Sequence, residues 1–293
     1  MDPRTFLERL GGGRGPQPTP ELASALADFA RLASDRPDLA AAAGNLAAML
    51  RAAFLVPDRA EVADDDVEAM ARGWPGGVVA FQARPPRLDG LALAARCRAI
   101  ADVMAGANPA ARALSAAIRA RRVDLAAWSG EVFAGRADEV GRRAEDAGVD
   151  PGLASSVLRL GLLPALARVS AALGRVRPEG AWDRGDCPHC GSRPILAESR
   201  GLEQRIFLRC GLCAADWPGE RLRCPSCGET AARALHYSYV EGEQARYRLS
   251  RCDACRYHWK IVSTFATLSP PALIVADLAT VHLDLLAVPD GPG

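Results

Sequence analysis

The chain has 293 residues, of which 49% are hydrophobic and 24% are charged, so it can bury a substantial core and is not a disordered protein. This length suits one large or two medium domains. A formal net charge of +1 gives no overall attraction to nucleic acid or to an anionic membrane surface.

The sequence predicts a cytoplasmic protein without a membrane span. The most apolar late stretch, residues 270–289, is interrupted by the polar side chains Asp277, His282 and Asp284, which are costly in hydrocarbon. The N-terminus has neither an apolar run before a cleavage site nor a twin-arginine signal. Cytoplasmic thiols stay reduced, so the nine cysteines need an explanation other than disulfides.

Residues 1–175 are predicted to form an all-α domain, with residues 1–20 as a flexible leader. Thr19 suits the N-cap of the first helix and Pro20 its first turn. The proline- and acid-rich residues 56–87 are predicted as loop or short irregular structure. Apolar residues at helical spacing predict helices in the stretches 20–29, 39–54, 91–104, 110–121, 125–134, 137–147 and 151–173.

The composition changes after a polar linker at residues 174–180, because every cysteine except Cys97 follows it. Two β-hairpin patterns appear, one centred on Gly201 and the other on Gly242. Their predicted strands cover residues 194–198, 204–209, 235–240 and 246–249. A final helix is predicted from Pro271 to about Leu286.

Eight cysteines form four C-x2-C pairs, and each half of this region has the order pair, hairpin, pair. That order is typical of a four-thiolate ribbon site. Each C-x2-C pair forms a tight turn, called a knuckle, and the hairpin brings two knuckles onto one metal ion. The sequence therefore predicts two tandem modules, over residues 181–222 and 223–268, before a C-terminal helix and tail over 269–293. The predicted ligand sets are Cys187, Cys190, Cys210 and Cys213 for one ion, and Cys224, Cys227, Cys252 and Cys255 for the other.

The knuckles differ in their backbone chemistry. Two of them read CPxCG, in which the proline fixes the turn and Gly191 or Gly228 tolerates a positive φ. The partner knuckles have Ala214 and Arg256 at the equivalent position, which predicts a poorer backbone fit.

The metal's identity stays open between zinc and iron, because both bind four thiolates tetrahedrally. A closed four-sulfur shell has no position for a substrate, so the ions would be structural or electron-transfer centres. Catalytic dithiols are the alternative explanation, but a redox C-x2-C sits beside a βαβ unit and none is visible here.

A zinc-ribbon nucleic-acid-binding protein is a second alternative. Residues 186–260 carry twelve basic and nine acidic side chains, and two divalent ions on eight thiolates would add four negative charges. This near-neutral balance disfavours nucleic-acid binding, which depends on a basic excess. A local patch of arginines interleaved with Tyr247 and Tyr257 could stack bases, although a solvated surface is the simpler interpretation. These arginines are Arg246, Arg248, Arg251 and Arg256.

The chain resembles the FdhE-type formate dehydrogenase accessory proteins. The resemblance covers about the last hundred residues and departs from the family at Pro218, where a histidine is expected, and at Asp277, where two adjacent acids are expected. It rests on Trp182 followed by the segments CPHCGSRP, LRCGLCAADW, RLRCPSCGE, CDACRYHWK and VADLATVHLDLLA.

This resemblance implies a cytoplasmic maturation factor that is not an enzyme. Family members are needed for active molybdenum- or tungsten-dependent formate dehydrogenase and associate with its catalytic subunit. They carry rubredoxin-like metal sites linked to iron. A rubredoxin-like electron-transfer protein is a further alternative, and a homodimer stays open beside a monomer.

Five residues outside the predicted ligand sets have simpler interpretations. Cys97 is predicted to be a buried small apolar residue. His189 is predicted to lie at an exposed knuckle tip, and His258 to serve packing. Asp277 and Asp284 share one helix face, which is either a partner-binding edge or, as the simpler interpretation, the solvent face of the terminal helix.

Overall fold

In the computed structural model the described residues are 16–106, 108–178, 180 and 182–287. Most of the predicted leader, residues 1–15, and the end of the predicted tail, residues 288–293, lie outside them. The first helix begins as predicted, because the backbone N–H of Leu22 donates to the hydroxyl of Thr19 over 3.3 Å and Pro20 occupies the first turn.

Helices fill the N-terminal half of the chain. Residues 56–87, predicted as loop or short irregular structure, contain two short helices and a single turn of 3-10 helix at Trp74–Gly76, so the prediction is wrong for the two helices. Val67, Met70, Trp74 and Phe81 bury their apolar side chains there, which stabilises helices too short to persist alone. The helices are α1 (Pro20–Asp35), α2 (Ala40–Phe54), α3 (Asp64–Ala71), α4 (Ala80–Ala83), α5 (Gly90–Met104), α6 (Pro109–Arg119), α7 (Leu125–Phe133), α8 (Ala137–Asp146) and α9 (Pro151–Val176).

Helix α9 is the central helix of this half. Asp150 caps it by accepting from the backbone N–H of Leu153 over 2.7 Å. The helix contacts α2, α3, α5, α6 and α8. By length and composition α9 could cross a membrane, but 61% of its most apolar window is buried inside the protein, which is typical of a core helix. The two C-terminal helices, Pro270–Ala279 and Val281–Ala287, are long and apolar enough for a membrane span only when taken together, and they are bent relative to each other by 51°.

Cys97 lies in α5, against α9, and is fully buried, which confirms the prediction of a small core residue. Burial raises the pKa of its thiol to about 12. The contact is close, because a Cβ at Gly161 of α9 would lie only 2.7 Å from the Cys97 sulfur.

A single six-stranded sheet follows, with the strand order β3-β2-β1-β6-β5-β4. All neighbouring strands are antiparallel except β1 and β6, which run parallel from Ala197 opposite Ile261 to Arg200 opposite Thr264. The two predicted hairpin modules are therefore joined edge to edge into one mixed sheet. Its strands are β1 (Pro194–Arg200), β2 (Arg205–Cys210), β3 (Asp216–Pro218), β4 (Leu235–Ser238), β5 (Tyr247–Cys252) and β6 (His258–Thr264).

Two C-terminal helices, α10 (Pro270–Ala279) and α11 (Val281–Ala287), replace the single predicted helix. They meet at an angle of 51° at Thr280. The Thr280 hydroxyl donates to the carbonyl oxygen of Ala276 over 2.7 Å, a back-bond that bends helices. The bend lets α10 pack on α1 while α11 covers β5 and β6.

Candidate metal centres

The first group of cysteines lies where the sheet meets the helical half. The sulfurs of Cys187 and Cys213 are 3.6 Å apart and those of Cys190 and Cys210 are 3.4 Å apart. All four sulfurs lie within 4.8 Å of one another. A tetrahedral ion with metal–sulfur bonds of ~2.3 Å requires sulfur–sulfur distances of ~3.8 Å, so this spacing fits one ion. It also exceeds a disulfide bond of ~2.05 Å.

The second group repeats this geometry around the second hairpin. The sulfurs of Cys224 and Cys255 are 3.6 Å apart, and those of Cys227 and Cys252 are 3.7 Å apart. These four sulfurs also lie within 4.8 Å of one another. The structure therefore brings the eight cysteines together in the two predicted sets of four.

All four knuckles share one backbone conformation. In the CPxCG knuckles, Gly191 and Gly228 have φ of +75° and +76°. Ala214 and Arg256 occupy the same left-handed region, with φ of +57° and +62°. This conformation costs a residue with a Cβ about 1–2 kcal/mol. The poorer fit expected at these two positions is thus present as backbone strain, not as a different turn.

Backbone amides point at the sulfurs. The N–H groups of Leu212 and Cys213 lie 3.4 and 3.5 Å from the sulfur of Cys210, and that of Ser226 lies 3.4 Å from the sulfur of Cys224. Such donors favour a negatively charged sulfur. They suit a thiolate that ligates a metal.

The first group needs a cation to hold its sulfurs as thiolates. Burial raises the pKa of the Cys187 and Cys213 thiols well above the ordinary value. Without a positive charge, four thiolates in this dry space would repel one another. A divalent ion removes that penalty, so the donor set fits a bound metal chemically as well as geometrically.

The helical half covers the first knuckle. The backbone N–H groups of Ala80 and Phe81 donate to the carbonyl oxygens of Pro188 and His189 over 2.9 and 2.8 Å. The indole N–H of Trp74 also donates to the Pro188 carbonyl, over 2.9 Å. Backbone polar groups of the knuckle are therefore satisfied by the helical half and not by water.

His189 is buried, so the prediction of an exposed knuckle tip is wrong. Its side chain is 1% exposed, its Nδ1 lies 3.0 Å from the Ser170 hydroxyl, and its ring stacks against Trp74. Burial lowers the pKa of this imidazole to about 3, so the ring is neutral at pH 7. The sequence around His189 does not indicate this burial, because Trp74 and Phe81, whose rings cover it, lie more than a hundred positions earlier in the chain.

The second group is open to solvent on one side. Cys227 and Cys255 are exposed, whereas Cys224 and Cys252 are buried. On its inner side the knuckle packs against residues 182–186, where a Cβ at Gly185 would overlap the backbone of Pro225. A cleft of about 560 Å³ borders the site; Cys224, Cys227, Trp182, Arg193 and Trp259 are among the residues that line it.

A buried ion-pair cluster was not predicted from the sequence. Lys260, the single lysine of the chain, points its ammonium group at Asp277 over 2.5 Å and at Asp284 over 2.8 Å. The lysine side chain is 5% exposed and the two acids are half-buried. Burial raises the pKa of Asp277, and the ammonium group of Lys260 lowers it in part. The interpretation of Asp277 and Asp284 as a purely solvent-facing pair is therefore wrong. Their carboxylates pair with Lys260 and so link α10 and α11 to β6.

His258 is half-buried rather than packed in the core. Its Nε2 lies 3.5 Å from a carboxylate oxygen of Asp284, and its ring stacks near Tyr257. It is not among the groups of possible metal ligands in the described part of the chain.

The two tyrosine rings of the predicted base-stacking patch, Tyr247 and Tyr257, are both packed. Tyr247 is buried and Arg246 stacks over its ring at 4.8 Å. Tyr257 is partly buried, and its hydroxyl donates to the carbonyl oxygen of Pro194 over 3.0 Å. Either ring would have to move out of its packed position before a nucleic-acid base could stack on it.

Comparison with known proteins confirms the resemblance found in the sequence. Protein FdhE of Escherichia coli is 34% identical over 117 residues, and an FdhE homolog of Cronobacter sakazakii is 36% identical over 117 residues. Each match covers 38% of this chain and 36% of the relative, so the matched region spans about a third of those proteins. No family model matches the chain.

A solved structure shares the fold over nearly the whole chain. The crystal structure of the FdhE protein from Pseudomonas aeruginosa matches with a TM-score of 0.59 and 24% sequence identity. The match covers 94% of this chain and 93% of that protein. The helical half and the sheet thus occur together in the fold of that FdhE protein.

Proposed function

We propose that this chain is a metal-binding accessory protein for the maturation of formate dehydrogenase and that it associates with the catalytic subunit of that enzyme. The observation that carries the proposal is the pair of four-cysteine groups at tetrahedral spacing, within a fold shared with an FdhE protein. The role in maturation and the partner come from the resemblance to the FdhE-type proteins.

In this proposal each group of four cysteines binds one ion. Cys187, Cys190, Cys210 and Cys213 ligate the first, and Cys224, Cys227, Cys252 and Cys255 ligate the second. Iron follows from the family resemblance, and zinc suits the same tetrahedral donors. A four-sulfur shell would have no free position for a substrate, which supports an accessory role over an enzymatic one. The protein would act in the cytoplasm, where its thiols stay reduced.

A gene deletion in the native host tests this function. The strain should lose most of its formate dehydrogenase activity while it still makes the catalytic polypeptide, and the wild-type gene should restore the activity. Cys97→Ser is a matched control, because it changes a buried cysteine outside both groups and should also restore activity wherever it accumulates to the normal level. Normal activity in a clean deletion, with no related accessory protein left, would reject the proposal.

Capture of the tagged protein tests the partner. The catalytic subunit of formate dehydrogenase should co-purify with the wild-type chain. Salt-sensitive binding to RNA or DNA, without that subunit, would favour the nucleic-acid alternative instead.

A further inference from the structure

The two cysteine groups differ in their access to solvent. All four cysteines of the first group are at most 3% exposed. In the second group Cys227 and Cys255 are exposed. The sulfur geometry of the two groups is nearly the same, so access and not coordination distinguishes them.

The first group is enclosed from both sides. The helical half covers the knuckle at Pro188 and His189 through three hydrogen bonds to backbone carbonyls. On the sheet side Leu212, Ala215 and Trp217 are at most 4% exposed and belong to the same core. A ligand can therefore reach these sulfurs only when the helical half and the sheet separate, which is close to global unfolding.

The second group needs no such opening. The knuckles that contain Cys227 and Cys255 lie at the surface, and the cleft of about 560 Å³ reaches Cys224 and Cys227 from the side of Trp182. This volume has room for a small organic thiol or chelator. An incoming donor atom can thus approach the ion from the side of Cys227 and Cys255 while the buried cysteines Cys224 and Cys252 still hold it.

We propose that the second group is an exchange site, which gives up and takes back a thiophilic metal ion through ligand exchange with soft donors in solution, whereas the first group keeps its ion. In each step an incoming thiol forms a new metal–sulfur bond, the bond to Cys227 or Cys255 breaks, and the proton of the thiol passes to the departing cysteine. The oxidation state of the ion does not change. This inference rests on the metal-binding part of the proposed function.

Release of metal from the full chain tests the proposal. The protein is loaded with two equivalents of Zn²⁺ and mixed with the chromogenic chelator 4-(2-pyridylazo)resorcinol. The ion of the second group should leave at least about tenfold faster than the ion of the first group, because only the first group requires opening of a packed core. Cys227→Ser should lose the fast phase and keep the slow one, while Cys97→Ser should keep both.

Alkylation of the wild-type protein provides a second measurement that needs no variant. Brief treatment of the loaded chain with N-ethylmaleimide, followed by peptide mass spectrometry, should modify Cys227 and Cys255 well before Cys187 and Cys213. Equal release rates for the two ions, or equal labelling of the two groups, would overturn the exchange-site proposal while leaving metal binding intact. A chain that binds no Zn²⁺ would reject the metal-binding proposal itself.

Discussion

The indole nitrogen of Trp74 donates a hydrogen bond to the carbonyl oxygen of Pro188 over 2.9 Å, and this bond links the helical half to the first cysteine knuckle. Trp74 is 3% exposed, and its ring centroid lies 5.9 Å from that of His189. The first four-cysteine group is thus embedded in a core that both halves of the chain share. A substitution in the helical half should therefore change how firmly the first site holds its metal ion.

Trp74→Phe tests this coupling. Loss of the indole donor and of some packing should lower the free energy of unfolding by about 1–3 kcal/mol. It should also speed the release of the slower metal ion. Trp128→Phe is the matched control, because Trp128 is equally buried and its indole nitrogen donates no hydrogen bond within the described residues. Equal metal-release rates in the two variants would show that Trp74 does not secure the first site.

Backbone strain at Arg256 predicts a stabilising substitution. Arg256 is exposed and has φ of +62°, so Arg256→Gly should raise the stability of the metal-loaded protein by about 1 kcal/mol. The reverse change at the equivalent position, Gly228→Ala, should lower it by a similar amount, since Gly228 has φ of +76°. Urea unfolding of both variants checks the pair. A loss of stability in Arg256→Gly would mean that the arginine side chain contributes more than the strain costs.

The close approach of Gly185 to Pro225 predicts that no larger residue is tolerated at position 185. A Cβ at residue 185 would overlap backbone atoms of the second knuckle, which cannot move like a flexible side chain. Gly185→Ala should therefore destabilise the protein by about 1–3 kcal/mol. Gly174→Ala is the control, because a Cβ in that part of α9 meets nothing within 4 Å and alanine favours the helix. A wild-type unfolding midpoint in urea for Gly185→Ala would show that the close contact with Pro225 does not limit stability.

The cluster around Lys260 predicts a pH-dependent defect. Lys260→Met leaves Asp277 without its cation, so the pKa of this carboxyl should rise further above its ordinary value. A folded-state pKa above the unfolded one means that the folded state binds the proton more tightly, so stability falls as the pH rises through the folded pKa. The variant should therefore be closer to wild type at about pH 5 than at about pH 8.

Unfolding midpoints of the wild type and Lys260→Met at both pH values check this prediction. The double variant Lys260→Met/Asp277→Asn should lose the part of the pH dependence that Asp277 contributes, because an amide does not titrate. A defect of the same size at both pH values, in the single variant, would rule out the buried carboxyl as its cause.

The sequence predicts the local features of this fold well. The grouping of the cysteines follows from spacing alone, since each hairpin can bring only its own flanking knuckles together. Thr19 and Pro20 likewise mark the start of α1 through local backbone chemistry. Such features depend on neighbours within a few tens of residues.

Long-range packing accounts for what the sequence did not predict. The parallel pairing of Ala197 with Ile261 joins strands that belong to different hairpins, and no turn signal specifies it. His189 is covered by Trp74 and Phe81, which lie too far away along the chain for a local pattern to predict the contact. Lys260 finds its partners, Asp277 and Asp284, on the two C-terminal helices. Each of these depends on how the halves pack.

Measurement of the metal content and coordination of the protein purified without oxygen tests the central claim most directly. The account predicts two metal ions per chain, each surrounded in X-ray absorption by four sulfur atoms at ~2.3 Å. Either zinc or iron would satisfy it. A chain that holds no metal, an ion with nitrogen or oxygen ligands, or disulfides among these eight cysteines under reducing conditions would contradict it.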